Sequence, residues 1–176
     1  MKKTIIIKGF VLALTGLFLS SMIWAQNTRP SPAATANGNV KGATITINYS
    51  SPGVKGRKIW GDLVPFDKVW RAGANEATLF ATDKDMQVEG KPLPAGKYSL
   101  YAIPGEKEWT IIFNSATGQW GINRDGSTTE DPAKDVLRVI VKPVNCPEFN
   151  ERLTYMVDEN GFALYWENLK VPISIK

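Results

Sequence analysis

Apolar and polar side chains alternate one for one along much of this 176-residue chain. A period of two is the period of a β-strand, whose successive side chains point to opposite faces. Ala43, Ile45, Ile47 and Tyr49 alternate with Thr44, Thr46 and Asn48. Tyr98, Leu100 and Ala102 repeat the pattern, as do Leu137, Val139 and Val141, Leu153, Tyr155 and Val157, and Phe162, Leu164 and Trp166. Leu169, Val171, Ile173 and Ile175 close the chain in the same way. Residues 76–82, 85–88 and 109–113 are further β-rich runs, the last apolar on both faces.

Each run is short and is bounded by turn residues. Glu89-Gly90, Pro104-Gly105-Glu106-Lys107 and Asp158-Glu159-Asn160-Gly161 each separate two runs and predict hairpins. Pro172 inside the last run predicts an edge strand, because proline cannot donate to a ladder. Helix is scarce. The best candidate is one or two turns over Pro65–Ala72, with proline near the start and Gly73 as the stop. Several short strands at regular spacing predict an all-β fold, an antiparallel β-sandwich or a jelly-roll-like barrel, with one long irregular loop.

That loop is Ser51–Thr78, which breaks the meander. Connections longer than about 12–15 residues in a compact domain are usually functional or disordered. Trp60 and Trp70, with Arg57 and Arg71, argue against disorder. The segment is therefore where a site is expected.

The chain opens on Lys2, Lys3 and Lys8, then the apolar run Gly9–Leu19, then Ser20, Ser21 and Ile23-Trp24-Ala25. This is the pattern of a signal peptide over residues 1–25, with cleavage after Ala25. The run is short for a bilayer, which takes about 20 residues, so export without a retained membrane span is expected, to the periplasm or beyond the cell. Residues 26–40 are rich in Asn, Ser, Pro, Ala and Thr and read as a flexible linker. Residues 41–176 then form the single β domain. The three lysines of residues 1–25 account for most of the basic excess: without them 18 basic residues face 17 acids, a net of +1. No basic patch remains that would point to nucleic acid.

The chain has no histidine and one cysteine. An internal disulfide is thereby excluded, as is every Ser-His-Asp or Cys-His arrangement. Cys146, in Asn145-Cys146-Pro147, reads as an incidental thiol. No phosphate loop, dinucleotide fingerprint or calcium loop is present, so no cofactor and no metal site is expected.

Three stretches together carry a family resemblance. They are Lys55-Gly56-Arg57-Lys58-Ile59-Trp60-Gly61, then Val69-Trp70-Arg71-Ala72-Gly73-Ala74-Asn75-Glu76-Ala77-Thr78, and Leu93-Pro94-Ala95-Gly96-Lys97-Tyr98-Ser99-Leu100, continued by Ile103-Pro104 and Trp109–Asn114. With these the chain resembles the uncharacterised exported-protein family called domain of unknown function twenty-nine eleven, along nearly all of the sequence after residue 25. The resemblance implies an exported, mainly β domain. It carries over no catalytic role.

The residues themselves leave three classes of function open. The first is a non-catalytic binding module of the cell envelope for a polar ligand such as carbohydrate or peptide. Its candidate residues are Arg57, Trp60, Trp70, Arg71, Asn75, Glu76 and Trp120, the rings offering faces for stacking and the arginines offering donors. The second is a histidine-free hydrolase with Glu76 as acid or base, paired with Asp62, Asp67, Asp131 or Asp135. The third is a structural or protein-interaction domain in which Arg71 and Glu76 form a buried ion pair. Trp109 and Trp166 read as core, and Trp120 as a residue of a loop that lines a cleft.

Overall fold

A computed structural model describes residues 29–176, and the expected signal peptide lies outside the described residues. Ten strands follow in order: β1 (Ala33–Val40), β2 (Ala43–Ser50), β3 (Thr78–Thr82), β4 (Met86–Val88), β5 (Lys91–Leu93), β6 (Gly96–Ile103), β7 (Trp109–Asn114), β8 (Asp135–Val141), β9 (Val144–Asp158) and β10 (Gly161–Ser174). Six of them form one antiparallel sheet in the order β1-β2-β3-β6-β7-β8. The β9–β10 hairpin is the second layer. The β4–β5 hairpin extends that layer, since Gln87 and Lys176 exchange backbone hydrogen bonds at the end of β10. The sheets are open and packed face to face, so the fold is a β-sandwich and not a closed barrel.

The core fills the space between the layers. Phe80 and Phe113 of the large sheet meet edge to face at 5.1 Å, and Phe162 of β10 lies 5.3 Å from Phe80. Tyr49 of β2 and Tyr155 of β9 make a similar contact at 4.9 Å. Ile45, Ile47, Leu93, Leu100 and Leu153 are fully buried around them. Offset and edge-on aromatic pairs of this kind add to the area they remove from water.

Two parts of the sequence behave differently from expectation. Residues 33–40 are not a flexible linker: they form β1, paired with β2 over its whole length. The strand is built from small residues because β9 lies against it. A Cβ at Gly38 would come 2.8 Å from Val157 Cγ1. The turn into β2 is Lys41-Gly42, both at positive φ, the type I′ geometry that matches strand twist. Residues 65–72 are not helical. The N–H groups of Asp67 and Trp70 donate to the carbonyls of Pro104 and Ala102, and Ala102 returns a bond to Trp70. The segment thus takes the place beside β6 that lies open ahead of Thr78, where β3 begins. The one helical turn among the described residues is a 3-10 turn at Pro132–Lys134.

The expected hairpins at Glu89-Gly90, Pro104–Lys107 and Asp158–Gly161 join β4 to β5, β6 to β7 and β9 to β10. The last two runs of the sequence are a single strand, β10, bulged at Glu167, which takes a φ of 54°. Pro172 falls between the stretch of β10 paired with β9 and the end paired with β4.

Candidate functional site

The segment between β2 and β3 folds over one end of the sandwich and is fastened from both layers. Trp60 and Trp70 come from the segment, Trp109 from β7 and Trp166 from β10. Trp60 meets Trp109 edge-on at 4.9 Å and Trp166 at 5.6 Å, while Trp70 stacks on Trp166 at 6.1 Å. Trp109 and Trp166 are each only 1% exposed, as core residues should be. Trp60 and Trp70 pack against that core and are half-buried. The aromatic group is therefore a plug and not an open row of rings.

Next to Trp70 the backbone is held in an unusual shape. Ala72 is buried with a φ of 52°, the left-handed region that side chains with a Cβ disfavour by about 1–2 kcal/mol. Its carbonyl accepts from Tyr155 Oη at 2.8 Å and from Thr78 Oγ1 at 3.0 Å. Gly73 follows because a Cβ there would lie 2.7 Å from Thr78 Oγ1. Trp70 Nε1 donates to the Gly73 carbonyl at 3.1 Å. The backbone on either side of Arg71 is thus fixed. The stem of Arg71 lies on Gly121, where a Cβ would come 2.7 Å from Arg71 Cβ and 2.8 Å from Cδ.

Arg71 lines a cleft of about 1000 Å³. Trp70, Gly73, Ala74 and Trp166 share its wall with Arg57, Asp67 and Lys68, and Ile122 with Asp125–Thr128 forms the facing side. The facing loop is a self-supporting turn. Ile122 bridges to Thr128, Asn123 takes a backbone bond to Ser127, and Asp125 Oδ1 accepts from both N and Oγ of Ser127. Those bonds hold the Asp125 carboxyl below the ordinary carboxylate range.

Arg71 Nη1 is buried and has no hydrogen-bond partner among the described residues. Burial lowers the pKa of its guanidinium, and the charge of Glu76 only partly offsets that. The expected Arg71–Glu76 ion pair is not formed. Glu76 is exposed and is bound by Arg29 Nη1 at 2.7 and 2.9 Å. Those hydrogen bonds push the Glu76 carboxyl below its usual range, the opposite of what a general acid at neutral pH needs.

Of the seven candidate residues, the cleft gathers Arg57, Trp70 and Arg71. Arg57 is a strut there, with Nε on the Val54 carbonyl and Nη2 on that of Gly53. Trp60 is in the aromatic plug, its Nε1 also buried and unpartnered among the described residues. Asn75 is structural: at a φ of 57° it donates to the Ser31 carbonyl and to Ser50 Oγ. Glu76 lines a separate groove of about 310 Å³ with Tyr49, Ser50 and Gln119. Trp120 is 49% exposed and stands outside the cleft, although its neighbour Gly121 seats Arg71. Asp131 caps the 3-10 turn and Asp135 is bound by Asn114 and Arg138. The turn at Asn123–Thr128 and the part played by Trp166 were missed in the sequence. Asp125-Gly126-Ser127 is a turn signal that marks the loop but not what it faces.

These features define a β-sandwich with a cationic, tryptophan-backed cleft at one end. The family model described as "Protein of unknown function (DUF2911)" matches residues 31–175, and the chain belongs to that family. Comparison with curated proteins and with solved structures returns no match. No helix among the described residues is long and apolar enough to cross a membrane.

Proposed function

We propose that this chain is an exported, non-catalytic binding module of the cell envelope that takes a polar ligand, carbohydrate or peptide, in the cleft beside Arg71. One observation carries the reading: a half-buried arginine, its inner Nη1 unpartnered among the described residues, lines an open cleft beside Trp70. Buried donors are nearly always satisfied, so the group is poorly compensated in the fold, and the part of it that water still reaches is what the cleft offers a ligand. Export rests on the pattern of residues 1–25.

The test is a thermal-shift screen of the purified domain against oligosaccharides and short peptides. A ligand that binds only the folded chain raises the melting temperature in proportion to its saturation. Thr128→Trp fills the cleft from the facing loop and should abolish the shift. A hit that survives Thr128→Trp places binding elsewhere and defeats the assignment of the cleft. No hit across the screen defeats the reading itself.

A further inference from the structure

The charge balance of the cleft narrows what it can hold. Its wall carries Arg57, Lys68 and Arg71 against Asp67 and Asp125. Two of these five are already committed. Arg57 spends Nε and Nη2 on backbone carbonyls, and Asp125 is closed into its own turn with Ser127. Asp67 and Lys68 are exposed neighbours at the rim. That leaves Arg71 as the cation drawn out of water without compensation. The nearest acid acting on it, Glu76, is held by Arg29. A desolvated, uncompensated guanidinium is most stabilised by one anion delivered to it, and a carboxylate matches its fork of donors.

The indole of Trp70 directly precedes Arg71 and shares the cleft wall. An indole face takes the apolar C–H face of a sugar ring. A hexuronate ring carries its carboxylate on a ring carbon, so one residue of such a polymer offers the stacking face and the anion together.

Resting on the cleft reading above, we propose that the ligand is an acidic saccharide, whose uronate carboxylate is taken by Arg71 while its ring lies against Trp70. The observations that support this are the half-buried, poorly compensated Arg71 at the cleft, the commitment of every other charged group of the wall but the rim pair, and the adjacency of Trp70 and Arg71 in that wall.

The experiment is calorimetric titration of the full domain with trigalacturonate and with its methyl ester, which keeps the rings and removes the charge. The free acid should bind at least about tenfold more tightly than the ester, since a charge-assisted bond to a buried group is at stake. Arg71→Gln should bring the two ligands to within about twofold of one another. Should Arg71→Gln fail to fold, Lys68→Glu changes only an exposed side chain, and it should weaken the acid several-fold while leaving the ester unchanged. Equal binding of acid and ester overturns the acidic-ligand inference and leaves the cleft reading standing. So does failure of both while a neutral glycan, or a peptide with a free terminal carboxylate, shifts the melting temperature in a manner sensitive to Thr128→Trp. Absence of any ligand in that screen overturns both.

Discussion

Replacing Arg71 by methionine separates a residue the fold needs from one it merely tolerates. Methionine keeps an unbranched stem on Gly121, so the packing seen at Arg71 Cβ and Cδ is largely preserved. It removes the guanidinium, whose Nη1 is buried without a partner. A buried donor left unsatisfied costs about 1–3 kcal/mol. Because Arg71 as a whole is only half-buried, water still reaches the rest of the group and the lower end applies. Arg71→Met should therefore raise stability by about 1 kcal/mol, or leave it unchanged. In a domain of this size that is a rise of about 2–4 °C in melting temperature. The assay is thermal unfolding by circular dichroism at neutral pH with no ligand present. Glu76→Gln run alongside should change stability by less than about 1 kcal/mol, because its pair with Arg29 is exposed. A loss of about 2 kcal/mol or more in Arg71→Met would refute the reasoning. It would mean that the guanidinium is bonded in the folded chain and that Arg71 is a fastening.

Gly121→Ala should lower stability by about 2–4 kcal/mol, from an alanine at a φ of 91° together with the clash against the Arg71 stem. Adding Arg71→Gly should recover part of that loss in a double-mutant cycle, and strict additivity would show that the stem does not lie on Gly121. The buried Glu130 makes a pH-dependent contribution of definite sign. Burial, and then the neighbouring Asp135, raise its carboxyl above the ordinary glutamate range, against the pull of Arg138. A raised folded value favours the folded state when the group is protonated, and that advantage is lost as pH climbs through the raised value. The stability of the parent relative to Glu130→Gln should thus fall as pH rises from the ordinary glutamate range, about pH 4, through the raised folded value. A difference that stays flat over that range in thermal unfolding would contradict the assignment.

Most of the sandwich was legible because burial on one face imposes a period of two wherever a strand is half covered. It failed at β1, whose inward positions before Val40 are Ala34, Ala36 and Gly38, too small to register as apolar. That smallness has a tertiary cause, the approach of Val157 on β9, which no local pattern displays. The helix signals at Pro65 and Gly73 were sound locally. They lost to the vacant ladder beside Ala102 and Pro104, since carbonyls left open at the end of a sheet draw whatever backbone can reach them. The site was half legible for a similar reason. An unusual loop rich in Arg and Trp marked the right segment, and Trp70 and Arg71 are in the cleft. The proximity of Arg71 and Glu76 in sequence suggested a pair. The partner of Glu76 is Arg29, 47 residues away, in a stretch read as a linker.

The placing of Arg71 follows from constraints that act on its neighbours. Trp70 is bonded to Ala102 on the large sheet through both its N–H and its carbonyl. Ala72 is turned into the left-handed region and fastened to β9 through Tyr155 and to β3 through Thr78. Strain of this kind persists only where the surroundings over-determine it, and here three separate elements do so. A freely moving loop would let Arg71 swing out to water and satisfy all five of its N–H donors at little cost. Locked between Trp70 and Ala72 and seated on Gly121, it cannot take that course, and Nη1 stays buried and unpaired. The part of Arg71 that lines the cleft is thus ordered before any ligand arrives, which is the condition under which one charged contact yields most affinity.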